Sequence, residues 1–344
     1  MKKLHIMNDD KFIKPYIRAI EKYFNFNEHQ FVIFTKENND YYNKHNNIYL
    51  INNKKKYLYL EKKLYKANKI FLHGLFIRNI IIILFMQPWL LRKSKWILWG
   101  GDLYKYKKQK NKNNLKSKIY EFMRSTVIKN VEGIISYIKG DYNLAKKWYA
   151  TNANYYNCIG YLSNIHEYNI NFEFNQNYKK NKYTFIQVGN SADPSNNHLE
   201  ILDKIKEHYN DDKNIKIICP LSYGNKEQAK KVIFYGKKIF NKDFVPLTKF
   251  LDIDVYNKLL SNIDIAIFNH ERQQAMGNIL TLLYLGKKVY IRDDIVTWDF
   301  FDKNNIEVFS FNNNNEKLLN KIDEETSLKN HKIIKSKFNI ENFI

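Results

Sequence analysis

Cysteine is nearly absent. Cys158 and Cys219 are the only two in 344 residues, and they form neither a CxxC pair nor a metal-ligand spacing. That argues against a disulfide framework and fits a reducing cytosol. Long apolar runs are also missing. The most hydrophobic stretch, IIIILFMQPWLL (80–91), has 12 residues and contains Pro88, whereas a membrane-spanning helix needs about 20. It reads either as a buried helix or, flanked by Arg78, Arg92, Lys93 and Lys95, as a helix that dips into a membrane surface. The opening MKKLHIMNDDKF has no apolar core and is charged again by Asp9, so it does not read as a signal peptide. Acidic residues are too few to balance the basic ones: 35 Asp+Glu against 57 Lys+Arg leave a net charge of +22. A field of that sign attracts phosphate, whether on a substrate, an anionic lipid or a nucleic acid. The basic residues have local runs at 54–56, 105–118 and 230–238, but no zinc-finger spacing, RNA-binding signature or basic-region heptad accompanies them. Nucleic acid is therefore the less favoured partner, behind an anionic membrane surface or an anionic substrate.

The catalytic signatures that are absent narrow the chemistry further. There is no GxxxxGK[ST] loop for phosphoryl transfer, no GxGxxG after a strand for a dinucleotide and no GxSxG elbow. No HExxH or His/Cys cluster argues for a metal. The Asp252-Ile253-Asp254 spacing precedes a helical pattern and reads as a cap. These gaps favour a metal-independent, cofactor-free site in which helix dipoles and basic side chains neutralise phosphate.

What is present is apolar periodicity. Hydrophobic residues make up 44% of the chain and aromatics 16%, enough to offset the entropy of ordering. The second half alternates strand and helix with short connections. Strands are expected at 183–189, 215–221, 244–251, 264–268, 287–292 and 306–311. Helices are expected at 198–209, 226–240, 254–263, 276–286 and 297–305. The first half repeats the theme, with strands at 3–7, 30–36, 47–51, 69–75, 95–104 and 154–162, helices at 14–24 and 59–67, and a strand, loop and helix within 133–149. Such alternation predicts βαβ units and parallel sheets with helices on both faces. No internal repeat is visible. The length predicts two domains: 1–163, a polar linker at 164–182, and 183–326, with a helix at 327–344 packing back on the first domain.

Ligands of open α/β sheets bind beyond the carboxyl ends of the strands, so polar residues that follow strands are the candidates. Four groups qualify. HGLF (73–76) puts His73 and Gly74 past a strand. WGGDLY (99–104) presents Asp102 beside Gly100 and Gly101, which let backbone approach a ligand. VGNSADPSNNH (188–198) joins a strand to a helix start that Ser195 or Asn196 caps, favouring an anion. NHERQQAMGNI (269–279) leads to Gly277 and Asn278 at another helix start. Each alone has an ordinary structural reading: glycines at strand ends make turns, Asp102 caps a helix, His73 is a hydrogen-bonded core residue and Glu271–Arg272 is a solvated pair. Two groups in each half, all at strand ends, fit two sheets facing across a cleft.

The segments IFLHGLF (70–76), WILWGGDLY (96–104), QVGNSADPSNNHLEIL (187–202) and ERQQAMGNILTLLYLGKKV (271–289) together resemble glycosyltransferase family 56, in the same order from about residue 65 to 300. The family includes the 4-acetamido-4,6-dideoxygalactose transferase type of enterobacterial common antigen synthesis. The pattern matches at His73, Gly74, Trp99, Gly100, Asp102, Tyr104, Gly189, Asn190, Ser191, Asp193, Ser195, Asn196, His198, Arg272, Gln273, Gln274 and Gly277. It departs, small residue for small residue, at Gly101, Ala192 and Ala275, and LSYGN (221–225), with Tyr223, is only loosely similar.

The resemblance implies a GT-B fold with two Rossmann-like domains. It also implies transfer of an amino-deoxy sugar from a dTDP-sugar to a lipid-linked saccharide at the cytoplasmic membrane face. The second domain is expected to hold the donor. Gly189, Asn190, Ser191 and the helix start at Asn196–His198 would face phosphates or sugar, with Tyr223 beside them. Gly277–Asn278 would take the pyrophosphate, Glu271 would bind hydroxyls, Phe250 and Leu251 would cradle the base, and Gln273 and Gln274 would read the donor sugar. Gly74, Gly100, Gly101 and Tyr104 are expected on the acceptor side. Asp102 is expected as the base that activates the acceptor, with His73 as the second candidate. Two other readings stay open at this point, a nucleotide-sugar 2-epimerase and a non-catalytic nucleic-acid-binding protein.

Overall fold

The computed structural model describes residues 2–36, 40–53, 56–110, 114–165, 183–209, 214–313 and 318–343. Most of the expected linker, residues 166–182, lies outside these described residues. The chain divides into two compact units, 1–163 with 343–344, and 164–342.

The first unit runs β1 (Lys3–Asn8), α1 (Ile13–Tyr23), β2 (His29–Phe34), α2 (Asp40–Asn43), β3 (Ile48–Ile51), α3 (Tyr57–Lys66), β4 (Lys69–His73), α4 (Arg78–Met86), β5 (Ser94–Ile97), α5 (Lys105–Lys110), α6 (Leu115–Asn130), β6 (Gly133–Ile135), α7 (Lys139–Tyr149) and β7 (Asn154–Tyr156). Its seven strands are ordered β3-β2-β1-β4-β5-β6-β7, and every neighbouring pair is parallel. Both faces of such a sheet are covered, so its strands read as nearly continuous apolar runs. Alternation still sorts the residues. Leu4, Ile6, Ile70 and Leu72 enter a core with Leu84, Trp96 and Val127. His5, Phe31 and Phe71 stack as rings on one another, with Tyr16 of α1 against His5.

The second unit runs β8 (Thr184–Val188), α8 (His198–Glu207), β9 (Ile215–Pro220), α9 (Lys226–Phe240), β10 (Phe244–Leu247), α10 (Ile253–Asn262), β11 (Ile265–Phe268), α11 (Met276–Tyr284), β12 (Lys288–Ile291), α12 (Val296–Lys303), β13 (Phe309–Ser310) and α13 (Glu324–Lys337). Its six parallel strands are ordered β10-β9-β8-β11-β12-β13. Each sheet reverses its strand order once, between β1 and β4 in the first and between β8 and β11 in the second. These reversals open the crevices where ligands of doubly wound sheets bind.

Several boundaries differ from the sequence expectation. The strand expected over 95–104 pairs only at Ser94–Ile97, because the following residues fold around Asp102. The one expected over 154–162 ends at Tyr156, and the remainder leaves the sheet, carrying Tyr161 to His73. Part of the basic run 105–118 forms α5 and the start of α6, neither of which was expected as a helix. The helix expected at 327–344 to return to the first domain instead starts at Glu324 and packs on α11 inside the second unit. His331 Nδ1 lies 2.6 Å from the Tyr284 carbonyl oxygen, and Ser327 donates to Gly286 O at 2.8 Å. Only residues 343–344 group with the first unit. Among the described residues no helix is long and apolar enough to cross a membrane.

Candidate active site

In the second unit the strand ends at the switch point carry a connected polar network. After β8 the chain turns at Gly189, whose φ of +64° is a left-handed conformation. A Cβ there would lie 2.6 Å from Asn196 Oδ1 and 2.9 Å from His198 Nε2. Asn196 is fully buried and organises the loop. Its Oδ1 accepts from Asn190 N at 2.9 Å and lies 2.9 Å from His270 Nε2, while its Nδ2 donates to Asp193 O at 3.0 Å and Ser191 Oγ at 3.3 Å. Asn190 in turn donates to the Tyr223 hydroxyl at 3.0 Å and accepts from Gln274 Nε2 at 3.3 Å. Ser195 Oγ lies 2.9 Å from Gln274 Oε1. Seven expected donor residues, Gly189, Asn190, Ser191, Asn196, His198, Tyr223 and Gln274, thus meet at one edge of the sheet.

The helix starts differ in detail from the expectation. Asp193 caps a short turn at Pro194–Asn196, and α8 begins only after Asn197, which takes the left-handed conformation and binds the Asn269 carbonyl at 2.9 Å. Ser195 and Asn196 therefore do not cap α8. Helix α11 begins after Ala275, also left-handed and without a side-chain cap. Gly277 and Asn278 lie in its first turn, where backbone N–H groups have no intrahelical acceptor. Gln273 Oε1 is buried with no hydrogen-bond partner among the described residues. Glu271 is exposed, Phe250 is exposed and Leu251 half-buried on the segment after β10.

Two residues of this edge were not anticipated. His270 is buried, and burial lowers its pKa to about 3, as burial lowers that of His198 to about 4. Tyr256 turns its hydroxyl toward Gln187 and Asn278, with its pKa raised by burial. His270 follows a strand as His73 does, and that signal was available. Tyr256 lies mid-helix and gave none.

In the first unit the expected base behaves as a clamp. Asp102 is fully buried. Its Oδ2 accepts from Leu75 N at 2.9 Å and Trp96 Nε1 at 2.6 Å, and its Oδ1 from Trp99 N at 3.1 Å and Leu103 N at 2.9 Å. Burial raises its pKa against these donors. All four donors come from the chain itself, whereas general-base action requires a hydrogen bond to the acceptor hydroxyl. The carboxylate instead ties the loop after β4 to the loop after β5. Its own carbonyl accepts from Arg124 Nη2. Gly74 (φ +78°) and Gly100 (φ +73°) make the turns on either side. Gly101 N bonds to Trp99 O at 2.8 Å, and Tyr104 is buried with its ring edge-on to Trp148.

His73 is buried with both ring nitrogens engaged. Nδ1 lies 2.6 Å from the Tyr161 hydroxyl and Nε2 lies 3.0 Å from His5 Nδ1, and burial lowers its pKa to about 3. The Tyr161 hydroxyl also accepts from Trp99 Nε1 at 2.7 Å. Tyr161 is itself buried, so His73 is closed off on that side as well.

Solved structures share this architecture at low identity. The Anabaena protein Alr3699/HepE in complex with UDP matches with a TM-score of 0.69 and 10% identity, covering 100% of this chain and 97% of that one. WaaG, a glycosyltransferase involved in lipopolysaccharide biosynthesis, matches at 0.63 and 10% identity, covering 100% and 96%. The Candida albicans trehalose-6-phosphate phosphatase N-terminal domain matches at 0.66 and 9% identity, covering 99% and 94%. These likenesses show the fold, two Rossmann-like domains of the GT-B type. The family described as 4-alpha-L-fucosyltransferase, glycosyl transferase group 56, matches residues 19–340. Because that match takes in nearly the whole chain, from α1 through α13, the chain belongs to glycosyltransferase family 56 and is a glycosyltransferase enzyme.

Proposed function

We propose that the enzyme takes an amino-deoxy or deoxy sugar from a nucleoside-diphosphate donor, a dTDP-sugar before others, and transfers it to a lipid-linked or surface-polysaccharide acceptor without a metal ion. The observation that carries the donor reading is the Asn190–Asn196–Gln274 network at the same sheet edge as the first turn of α11. Amide side chains suit sugar hydroxyls, and a free helix start suits the leaving diphosphate. The HepE structures hold UDP and UDP-glucose, and the family description names a fucosyltransferase; fucose is itself a 6-deoxyhexose. On this reading Gly277–Asn278 and Arg272 offset the diphosphate charge, Gln273 and Gln274 read the sugar, Glu271 binds hydroxyls, and Phe250 and Leu251 pack on the base.

A thermal-shift panel of dTDP, UDP, ADP and NAD, with and without EDTA, tests the reading. A ligand at about 100 times its Kd stabilises by about 2.7 kcal/mol, so dTDP is expected to raise the midpoint by several degrees, more than ADP or NAD, and equally in EDTA. Equal shifts from all four nucleotides, or a dTDP shift that EDTA abolishes, would contradict it.

The acceptor reading places the enzyme peripherally on the inner face of the cell membrane. It draws support from the run 80–91, which is not wholly buried. Met86 is 67% exposed and Trp89 51%, and nearby on α6 so are Leu115 (72%) and Phe122 (64%), with the rings of Phe85 and Phe122 5.9 Å apart. Arg92, Lys116 and Lys118 are exposed on the same elements. Apolar side chains among lysines and arginines suit an anionic interface. Each aromatic side chain inserted is worth about 1.5–3 kcal/mol, so a Trp89→Ala/Phe122→Ala variant is expected to bind phosphatidylglycerol vesicles at least tenfold more weakly. Co-sedimentation indifferent to anionic lipid, to salt and to these substitutions would remove the membrane from the reading.

A further inference from the structure

A hydroxyl acceptor is activated by a base within hydrogen-bond reach, and the two groups expected in that role are both enclosed. Asp102 takes four N–H donors, and His73 lies between His5 and the buried Tyr161. The histidine chain behind His73 is closed too: His5 Nε2 is 2.9 Å from His29 Nδ1, and His29 Nε2 is buried. Two other carboxylates follow the strands around the switch point of the first sheet, and both follow β1. Asp9 is tied down. Its Oδ1 accepts from the Tyr42 hydroxyl at 2.6 Å and its Oδ2 from Thr35 Oγ1 at 3.0 Å. Asp10 is exposed, and among the described residues its carboxylate takes one hydrogen bond, from Phe12 N to Oδ1 at 3.3 Å.

Beside Asp10 stands an aromatic wall built from three loops. Phe12 follows β1, Phe76 follows β4 and Trp99 follows β5. The Trp99 ring meets Phe12 edge-on with centroids 5.7 Å apart, and Phe76 edge-on at 6.0 Å. Trp99 is held from behind, since its Nε1 donates to Tyr161 at 2.7 Å and the two rings lie 4.9 Å apart. Phe76 folds over Gly74, where a Cβ would sit 2.4 Å from its ring. The Asp102 clamp joins the second and third loops and so fixes the wall. Phe76 is 40% exposed, and Phe12 and Trp99 are half-buried, so part of each remains open. Asp10 lies within electrostatic reach of the wall: burial raises the pKa of the Tyr161 hydroxyl, and the negative charge of Asp10 adds to the rise. The cation on this rim is Lys11, whose Nζ is 5.0 Å from the Phe12 ring centroid. Apolar rings beside an open carboxylate suit a pyranose, which presents C–H faces and hydroxyl edges.

We propose that Asp10 is the catalytic base of sugar transfer and that Phe12, Phe76 and Trp99 hold the acceptor saccharide against it. The proposal rests on the reading that the first unit receives the acceptor. The acceptor hydroxyl donates to Asp10 Oδ2, the oxygen that Phe12 N does not use. As the acceptor oxygen bonds to the anomeric carbon of the donor, the bond from that carbon to the diphosphate oxygen breaks. Its electron pair leaves with the diphosphate, and the acceptor proton passes to Asp10. Because Asp10 is exposed, it returns the proton to water after the product leaves. The base and the wall thus come from the loops that the switch point of the sheet brings together.

An Asp10→Asn variant separates the base from the bond. Its amide oxygen still accepts from Phe12 N, but the amide takes up no proton. Asp10→Ser, whose hydroxyl can accept from the same N–H, gives a second variant. Nucleotide release from dTDP-glucose and UDP-glucose is measured with cell membranes of the source organism as acceptor. General bases contribute about 10²–10⁴-fold, so both variants are expected to turn over at least about a hundredfold more slowly. Their melting midpoints and dTDP thermal shifts are expected to stay at the wild-type values. Phe76→Ala is expected to raise the membrane concentration for half-maximal release about tenfold and to leave the donor KM unchanged. Asp10→Asn turning over at the wild-type rate overturns the base, and so does an Asp10→Asn protein that melts early, which would make the residue structural. Phe76→Ala with a wild-type dependence on membrane overturns the wall. A wild-type protein that releases neither nucleotide contradicts the donor reading itself, and the base falls with it.

Discussion

Replacing Asp102 with alanine is expected to lower the folding stability of the first unit by about 4 kcal/mol, counting four buried N–H groups left unpaired at about 1 kcal/mol or more each. The four are Leu75 N, Trp99 N, Leu103 N and Trp96 Nε1. At about 2–4 °C per kcal/mol for a unit of this size, the thermal midpoint should fall by about 10 °C. Asp102→Asn is expected to destabilise as well, since its amide turns N–H groups toward N–H donors. Urea titration and thermal melts of both variants check this. A residue acting as a general base would behave in the opposite way: its asparagine variant would fold as well as wild type and fail only in turnover. Wild-type stability combined with lost turnover would restore Asp102 to the role its sequence position suggested.

Acid should unfold this protein over a narrow range. His5, His73, His198 and His270 are buried, and burial holds each pKa below the usual value near 6.5: about 3 for His73 and His270, about 4 for His198, and well down for His5. The unfolded chain therefore binds protons that the folded chain refuses once the pH drops below about 6.5, and stability falls with the pH from there. The contribution is whole above that value. One unit below it, each such histidine has cost about 1.4 kcal/mol, so the two in each unit cost that unit about 3 kcal/mol. That is a large share of the full stability of a domain, about 5–15 kcal/mol. Denaturation midpoints at pH 7.5, 6.5, 6.0 and 5.5 are expected to hold over the first step and then drop sharply. A curve flat to pH 5 would mean that these imidazoles titrate freely.

Periodicity made the fold legible. Parallel strands buried on both faces and helices with apolar stripes were plain in the residues, and the rule that ligands sit beyond strand ends picked out Gly189, Asn190, Asn196 and Gln274, which do meet. Pattern says which way a side chain points but not what it touches. The contact partners of Asp102 come from residues 75, 96, 99 and 103, and only the folded loops show that they fill its lone pairs. The histidine chain is still less visible. Residues 5, 29, 73 and 161 are joined by separations of 24, 68 and 88 positions, and a lone histidine within an apolar strand looks like any other core residue. The expected helix at 327–344 failed on partner choice for the same reason: its helical character was legible, but the surface that would cover it was not.

The packing of α13 on α11 bears on how the enzyme is made. Helix α11 carries the proposed diphosphate site at its start and is closed at its other end by Ser327 and His331. Ser327 Oγ sits 2.1 Å from where a Cβ on Gly286 would be, so this junction admits no side chain there. On the ribosome, residues 1–163 can emerge and collapse while the second half is still being synthesised. The second unit cannot finish until residue 337 has left the exit tunnel. A nascent chain stalled before α13 would therefore present a second unit with one flank of α11 bare, a substrate for chaperones.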